Sequence, residues 1–286
     1  MGQCWEMLGG YGSCLKTSLR LAELAYRSGV EKPKKTGLDS SATNPTPTTK
    51  QHVANPSKDH TSLEQQALAL TNQGQLKQAE AIYRNLIAAG THNHIVYGNL
   101  AAICGMQGRF DELIDLLKKA LSLKPNYPEA LNNLGIALQE KGDLDAAIDS
   151  YKQAIQLKPN LPDAHYNLGI ALQEQGDLNA AIDSYNKVLS LKPNYPDAHY
   201  NLGIALKKKG NPNAAIASYK TALSLKPNYS DAHNNLGIAL QGQGDLNAAI
   251  ASYKQALQLK PNYPDPHNNL GNALMEQGDL DAAINS

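Results

Sequence analysis

The chain has 286 residues, with 26 Lys+Arg balancing 26 Asp+Glu, so its formal net charge is zero. That balance leaves no basic excess to hold nucleic acid or an anionic membrane surface. Three cysteines, Cys4, Cys14 and Cys104, form neither a paired framework nor a metal spacing, and no run of about 18 apolar residues marks a membrane span. A reducing, cytoplasmic setting is the expectation.

Residues 1–30 lack the cationic start and continuous apolar stretch of a secretion signal. Glu6 stands where a myristoylation signal needs Ser or Thr. A short amphipathic helix is predicted over 15–28, through Leu15, Leu19, Ala22 and Tyr26. Residues 31–59 are mostly Pro, Ser, Thr, Asn and Lys, cannot bury enough apolar area to order themselves, and are expected to be a disordered linker.

From residue 60 the chain repeats. Lys-Pro-Asn recurs with its proline at 125, 159, 193, 227 and 261, and Asn-Leu-Gly recurs with its glycine at 135, 169, 203, 237 and 271. A second glycine follows each of these at 142, 176, 210, 244 and 278. All three markers step by 34 residues. The whole units are 128–161, 162–195, 196–229 and 230–263, with 94–127 close behind, a divergent unit at 60–93 and a truncated one at 264–286.

One unit predicts a helical hairpin. Pro128 and Glu129 suit a first turn, and Leu131, Leu134, Gly135 and Leu138 share one stripe. Gly142 supplies a left-handed C′ position, after which Asp143 caps a second helix. Leu144, Ala147, Ile148, Tyr151, Ile155 and Leu157 are assigned to that helix's buried face, and Pro159 ends it. Small residues at Gly135 and Ala147 let the two helices approach closely. In the third whole unit Asn211-Pro212 reads as a cap followed by a first-turn proline, and Lys207-Lys208-Lys209 as a solvated last turn that the helix dipole favours. Such hairpins cannot hide their apolar faces singly, so neighbours must stack.

The pattern Leu-x2-Leu-Gly-x2-Leu, followed by Ala147, Tyr151, Ala154 and Pro159, resembles the tetratricopeptide repeat (TPR) signature, with Leu where that family often has Trp or Tyr. The resemblance implies an all-α fold, a right-handed superhelix (an α-α solenoid) of antiparallel helix pairs.

No catalytic centre is visible. His165, His199, His233 and His267 recur in register, but equivalent helices of stacked repeats lie about 10 Å apart, so their rings cannot converge on a metal with bonds of about 2 Å. They replace Leu131 and read as packing residues. The acids Glu129, Asp163, Asp197, Asp231 and Asp265 read as helix N-terminal stabilisers. No cofactor is implied.

An asparagine precedes each Leu-Gly or Leu-Ala: Asn99, Asn133, Asn167, Asn201, Asn235 and Asn269. Asn is a mediocre helix former, so six in register need a reason. The TPR resemblance places this face in the concave groove. There an amide can donate to and accept from the backbone of an extended peptide. The alternative is that each amide bonds a neighbouring helix and sets the curvature; an amide has capacity for both. Tyr166 and Tyr200, directly before two of these asparagines, are expected to be binding hot spots or to pack on the adjacent repeat. Along the same face run Gln139, Gln173, Lys207, Gln241 and Met275.

The ladder is similar to that of the substrate-binding arm of O-linked N-acetylglucosamine transferases. Three functions follow as expectations. The first is a scaffold binding other proteins or extended peptides, with no nucleic acid or membrane partner. The second is the recognition arm of a transferase whose catalytic domain is missing, because Ser286 stops short of the next tyrosine and the chain reads as a fragment. The third is a solenoid that self-associates end to end. Replacing Asn167, Asn201 and Asn235 by Ala is expected to weaken binding and leave melting nearly unchanged.

Overall fold

The computed structural model describes residues 56–284. The expected helix at 15–28 and nearly all of the expected linker lie outside them. The first helix, α1 (Pro56–Asn72), begins inside the stretch read as linker, because a first-turn proline sacrifices no hydrogen bond. Among the described residues the chain is helical without strands, and no helix is long and apolar enough to cross a membrane.

Contacts divide the chain into two units that meet at Lys141 and Gly142. The first unit holds α1, α2 (Leu76–Ala88), α3 (His94–Met106), α4 (Phe110–Leu123) and α5 (Pro128–Glu140). Here α1 pairs with α2 and α3 with α4, while α2 packs on α3 and α4 on α5. Tyr83, Leu86, Leu100, Ile103 and Leu117 form its core. Cys104, expected on a buried face, is fully buried there, and burial pushes its thiol up to about 11.

Two arginines and two glutamates tie the first unit's repeats together. Glu80 accepts from Arg84 at 2.8 Å and from Arg109 at 2.7 Å, and Glu112 accepts from both at 2.6 Å. Burial alone would raise the Glu80 carboxyl, but hydrogen bonds from Arg84, Arg109 and Gln107 outweigh it and hold the group below its ordinary value. A depressed carboxyl stabilises the fold above its unfolded pKa and loses that contribution as pH falls through the folded one. Glu80→Gln is therefore expected to lower the melting temperature at pH 7, and the deficit should shrink on acidification below about pH 4.5. Paired melting curves at pH 7 and pH 3 check this. A deficit that stays constant would mean that packing, not charge, is what the substitution removes.

The second unit holds α6 (Leu144–Leu157), α7 (Pro162–Gln175), α8 (Leu178–Leu191), α9 (Pro196–Lys208), α10 (Pro212–Leu225), α11 (Ser230–Gln241), α12 (Leu246–Leu259), α13 (Pro264–Gln277) and α14 (Leu280–Ile284). Hairpins α7–α8, α9–α10, α11–α12 and α13–α14 stack in chain order, with α6 against α7. Local chemistry sets their ends. Prolines open α7, α9, α10 and α13, and φ between +80° and +93° marks Gly176, Gly210, Gly244 and Gly278. Asp143, Asp177 and Asp245 each accept from a backbone N–H three residues on, at 3.0–3.2 Å.

Two local expectations fail. Asn211 makes no side-chain cap. The following proline restricts its backbone, giving φ −110° where the capping aspartates have −78° to −86°, so the amide no longer meets its target. Leu157 is 42% exposed, because six residues past Tyr151 is about 240° around the helix.

Tyr151, Tyr185, Tyr219 and Tyr253 are fully buried. Each of the last three lies against the Asn-Leu-Gly glycine of its own hairpin. A Cβ on Gly169, Gly203 or Gly237 would come within 2.5–2.6 Å of the ring.

Candidate functional site

The predicted histidine row serves the loops. Nε2 of His165, His199, His233 and His267 bonds the carbonyl of Pro159, Pro193, Pro227 and Pro261, at 2.8–3.0 Å. These bonds clamp each Lys-Pro-Asn turn to the helix that follows it. The lysines of four turns lie over tyrosine rings three residues on, at 4.0–5.2 Å, a cation–π contact that helps hold the same loops.

The asparagine row bonds across repeats. Nδ2 of Asn201 donates to Tyr166 Oη and Nδ2 of Asn235 to Tyr200 Oη, both at 2.8 Å; Nδ2 of Asn269 donates to Asn234 Oδ1 at 3.0 Å. Each partner lies 35 residues back, directly before the preceding asparagine of the row. In the first unit Asn99 donates to Tyr83 Oη at 3.1 Å. Asn167 is buried, while Asn99, Asn133, Asn201, Asn235 and Asn269 are partly buried.

One half of the Asn201, Asn235 and Asn269 amides is thus spent on the neighbouring repeat. The other half, Oδ1 of Asn201 and Asn235, receives no donor from the described residues. The expectation that removing these amides leaves melting untouched is corrected by this geometry. Each truncation of Asn201 or Asn235 removes one inter-repeat hydrogen bond, at about 1 kcal/mol.

Tyr166 and Tyr200 are drawn into the same packing. Tyr166 is 8% exposed and stacks on Tyr195 at 5.1 Å; Tyr200 tilts against Tyr229 at 4.8 Å. Tyr166 is buried and Tyr200 partly buried, and both rings pack on the adjacent repeat, the second of the two expectations. They orient the asparagines.

The glutamine row behaves as part of the same face. Tyr253 Oη donates to Gln241 Oε1 at 2.8 Å, and Gln241 Nε2 donates onward to Glu276 Oε1 at 2.9 Å. Beside them opens a cavity of about 490 Å³, lined by Gln241, Tyr253, Asn269, Asn272, Met275 and Glu276 among others. Two rows picked from the sequence, asparagine and glutamine–methionine, therefore meet at one depression. The Tyr–Gln bond is what sequence reading missed. Its signal was there, in a tyrosine that recurs 12 residues after Gln139, Gln173, Lys207 and Gln241.

A second inter-repeat ladder was also missed. Gln175 Nε2 donates to Asp145 Oδ1 at 2.7 Å and Gln277 Nε2 to Asn247 Oδ1 at 2.6 Å, with the pair Gln243–Asn213 between them.

Comparison with known proteins agrees with this architecture. The family model for the TPR repeat matches residues 106–142, 138–176, 171–210, 206–244 and 242–278. A crystal structure of MamA is similar at 31% identity, with a TM-score of 0.54 over 57% of this chain and 95% of its own. YrrB, described as a TPR protein with an unusual peptide-binding site, aligns at 19% identity and a TM-score of 0.56 over 68% and 97%. PilF of Pseudomonas aeruginosa aligns at 19% identity and a TM-score of 0.65 over 74% and 97%. No curated protein matches the chain. With the matched repeats spanning more than half of its length, the chain belongs to the tetratricopeptide repeat family.

Proposed function

We propose that the chain is a non-enzymatic scaffold that binds extended segments of other proteins along the face carrying the asparagine and glutamine rows. The observation that carries this reading is the cavity where Asn269 meets Gln241 and Met275, together with amide oxygens at Asn201 and Asn235 that no described residue satisfies. A row of fixed carbonyl acceptors suits the N–H groups of an extended backbone, which recur whatever the side chains are. With about 10 Å per repeat and about 3.3 Å per peptide residue, consecutive amides meet every third residue. The tyrosines hold the amides at that pitch, and holding them in advance lowers the ordering cost of binding. YrrB carries a peptide-binding site on the same kind of fold, which is consistent with this use.

The test separates ligand contact from inter-repeat support. Asn201→Ala with Asn235→Ala removes the amides; Tyr166→Phe with Tyr200→Phe removes only the hydroxyls to which they donate. Both pairs break the same two hydrogen bonds. Measured by fluorescence anisotropy with a labelled 15-residue Ala/Ser/Thr/Gln peptide, the alanine pair is expected to weaken binding about tenfold and the phenylalanine pair less than about threefold, at equal folded fraction. Equal losses from both pairs would reduce the row to a structural role.

A further inference from the structure

A groove of near-identical repeats gives a bound chain no register except where the repeat is broken. Three departures converge on the cavity beside Gln241. Gly242 stands where other units carry Glu140, Glu174, Lys208 and Glu276; Asn272 stands where they carry isoleucine, as at Ile238; Met275 stands where they carry glutamine or lysine. All three line the cavity, which opens between α11, α12 and α13 and, at about 490 Å³, is of the size that holds a small organic group. Neither packing nor backbone calls for glycine at 242. Its φ is −62°, and an added Cβ would meet only the carbonyl oxygens of Ile238 and Ala239, at 3.5 and 3.7 Å. What glycine does is leave out the long side chain that the other units place there.

The bonds around the cavity run one way. The buried Tyr253 hydroxyl donates to Gln241 Oε1, Gln241 Nε2 donates to Glu276 Oε1, and this relay holds the exposed Glu276 carboxylate at the rim. Asn269 spends an N–H on Asn234 Oδ1. Glu276 Oε2, Asn269 Oδ1 and the Asn272 amide oxygen then receive no donor from the described residues, and no described cation pairs with Glu276. Ile238 and the half-exposed Met275 add an apolar wall. An acidic side chain here would meet the charge of Glu276, and an apolar one would leave the oxygens unfilled. A long basic side chain suits both halves, with its methylenes on Ile238 and Met275 and its N–H groups on the oxygens.

We propose that this cavity takes a lysine or arginine side chain of the bound segment, its charged end on Glu276 and the Asn269 and Asn272 oxygens, and that this contact fixes the segment's register along the groove. The inference rests on the groove reading above. Glu276 is the one carboxylate of its row with a glycine 34 residues before it. A basic side chain displaced by one repeat toward the N-terminus meets Lys208 and Gly242 instead, with no acid in that row to receive it. Specificity then comes from one charged position on an otherwise backbone-reading surface.

A labelled Ala/Ser/Thr/Gln peptide carrying Lys, Arg or Gln at its centre tests this by anisotropy at low salt. The Lys and Arg peptides are expected to bind about fivefold more tightly than the Gln peptide, the modest gain of an ion pair that stays near solvent. Glu276→Gln, which keeps an acceptor for Gln241, should make the three peptides equal at the same folded fraction. Gly242→Lys, which copies Lys208 and seats a lysine of the chain itself in the cavity, should do the same. Glu140→Gln makes the same charge change at the same row position away from the cavity, and should leave the preference intact. A preference that is absent from wild type, survives Glu276→Gln or Gly242→Lys, or is lost equally in Glu140→Gln overturns the proposal and leaves the groove reading standing. Failure of all three peptides to bind overturns the groove reading, and this proposal with it.

Discussion

Gly203→Ala is expected to destabilise the second unit by about 2 kcal/mol, although alanine is the better helix former by about 1 kcal/mol. The added methyl would stand 2.5 Å from Cε1 and 2.7 Å from Cδ1 of Tyr219, closer than carbon atoms approach. Relief requires moving the ring, and Tyr219 is fully buried between helices, so its displacement is passed to the neighbouring packing. Overpacking of this size costs about 3 kcal/mol at the upper end, which exceeds the propensity gain. Thermal unfolding followed by circular dichroism measures the sum.

Gly210 is the control. It also sits in α9's hairpin, but with φ +84° and nothing within 4 Å of an added Cβ. Its requirement is backbone conformation, which asparagine tolerates, so Gly210→Asn should be mild and Gly203→Asn severe. Equal tolerance at both sites would refute the packing argument.

Two identical substitutions in equivalent positions are expected to act in opposite directions. Tyr253→Phe breaks the bond to Gln241 and should cost about 1 kcal/mol. Tyr219→Phe deletes a buried hydroxyl that has no partner, and should raise stability by about 1 kcal/mol. The gap of about 2 kcal/mol is set by whether the buried hydroxyl has an acceptor; the Tyr185 hydroxyl, 12 residues after Gln173, has none either. Denaturant unfolding of both variants checks it. If Tyr219→Phe destabilises as much as Tyr253→Phe, the Tyr219 hydroxyl has an acceptor after all.

The repeat, its hairpins and most of their ends were readable from sequence because they depend on chemistry within a few residues. Proline at a first turn, aspartate at a cap and glycine at a left-handed position act on their own backbone, wherever the helix later packs. Even the local failures were local. Proline altered the residue before it at Asn211, and the helical angle carried Leu157 off the stripe. The histidines, read as packing residues, instead each meet a loop carbonyl six residues back.

What side chains do between repeats was not readable, because it depends on how one hairpin is set against the next. That setting brings residues 35 apart to 2.8 Å at Asn201–Tyr166 and Asn235–Tyr200. It also spends half of the Asn201, Asn235 and Asn269 amides on support and packs Tyr166 and Tyr200 against the adjacent repeat. The same setting closes a bond at Tyr253–Gln241 and leaves the hydroxyls of Tyr185 and Tyr219 without one. Composition and period specify that rows exist; only the packing angle between helices decides which atom of each row meets protein and which is left for a ligand.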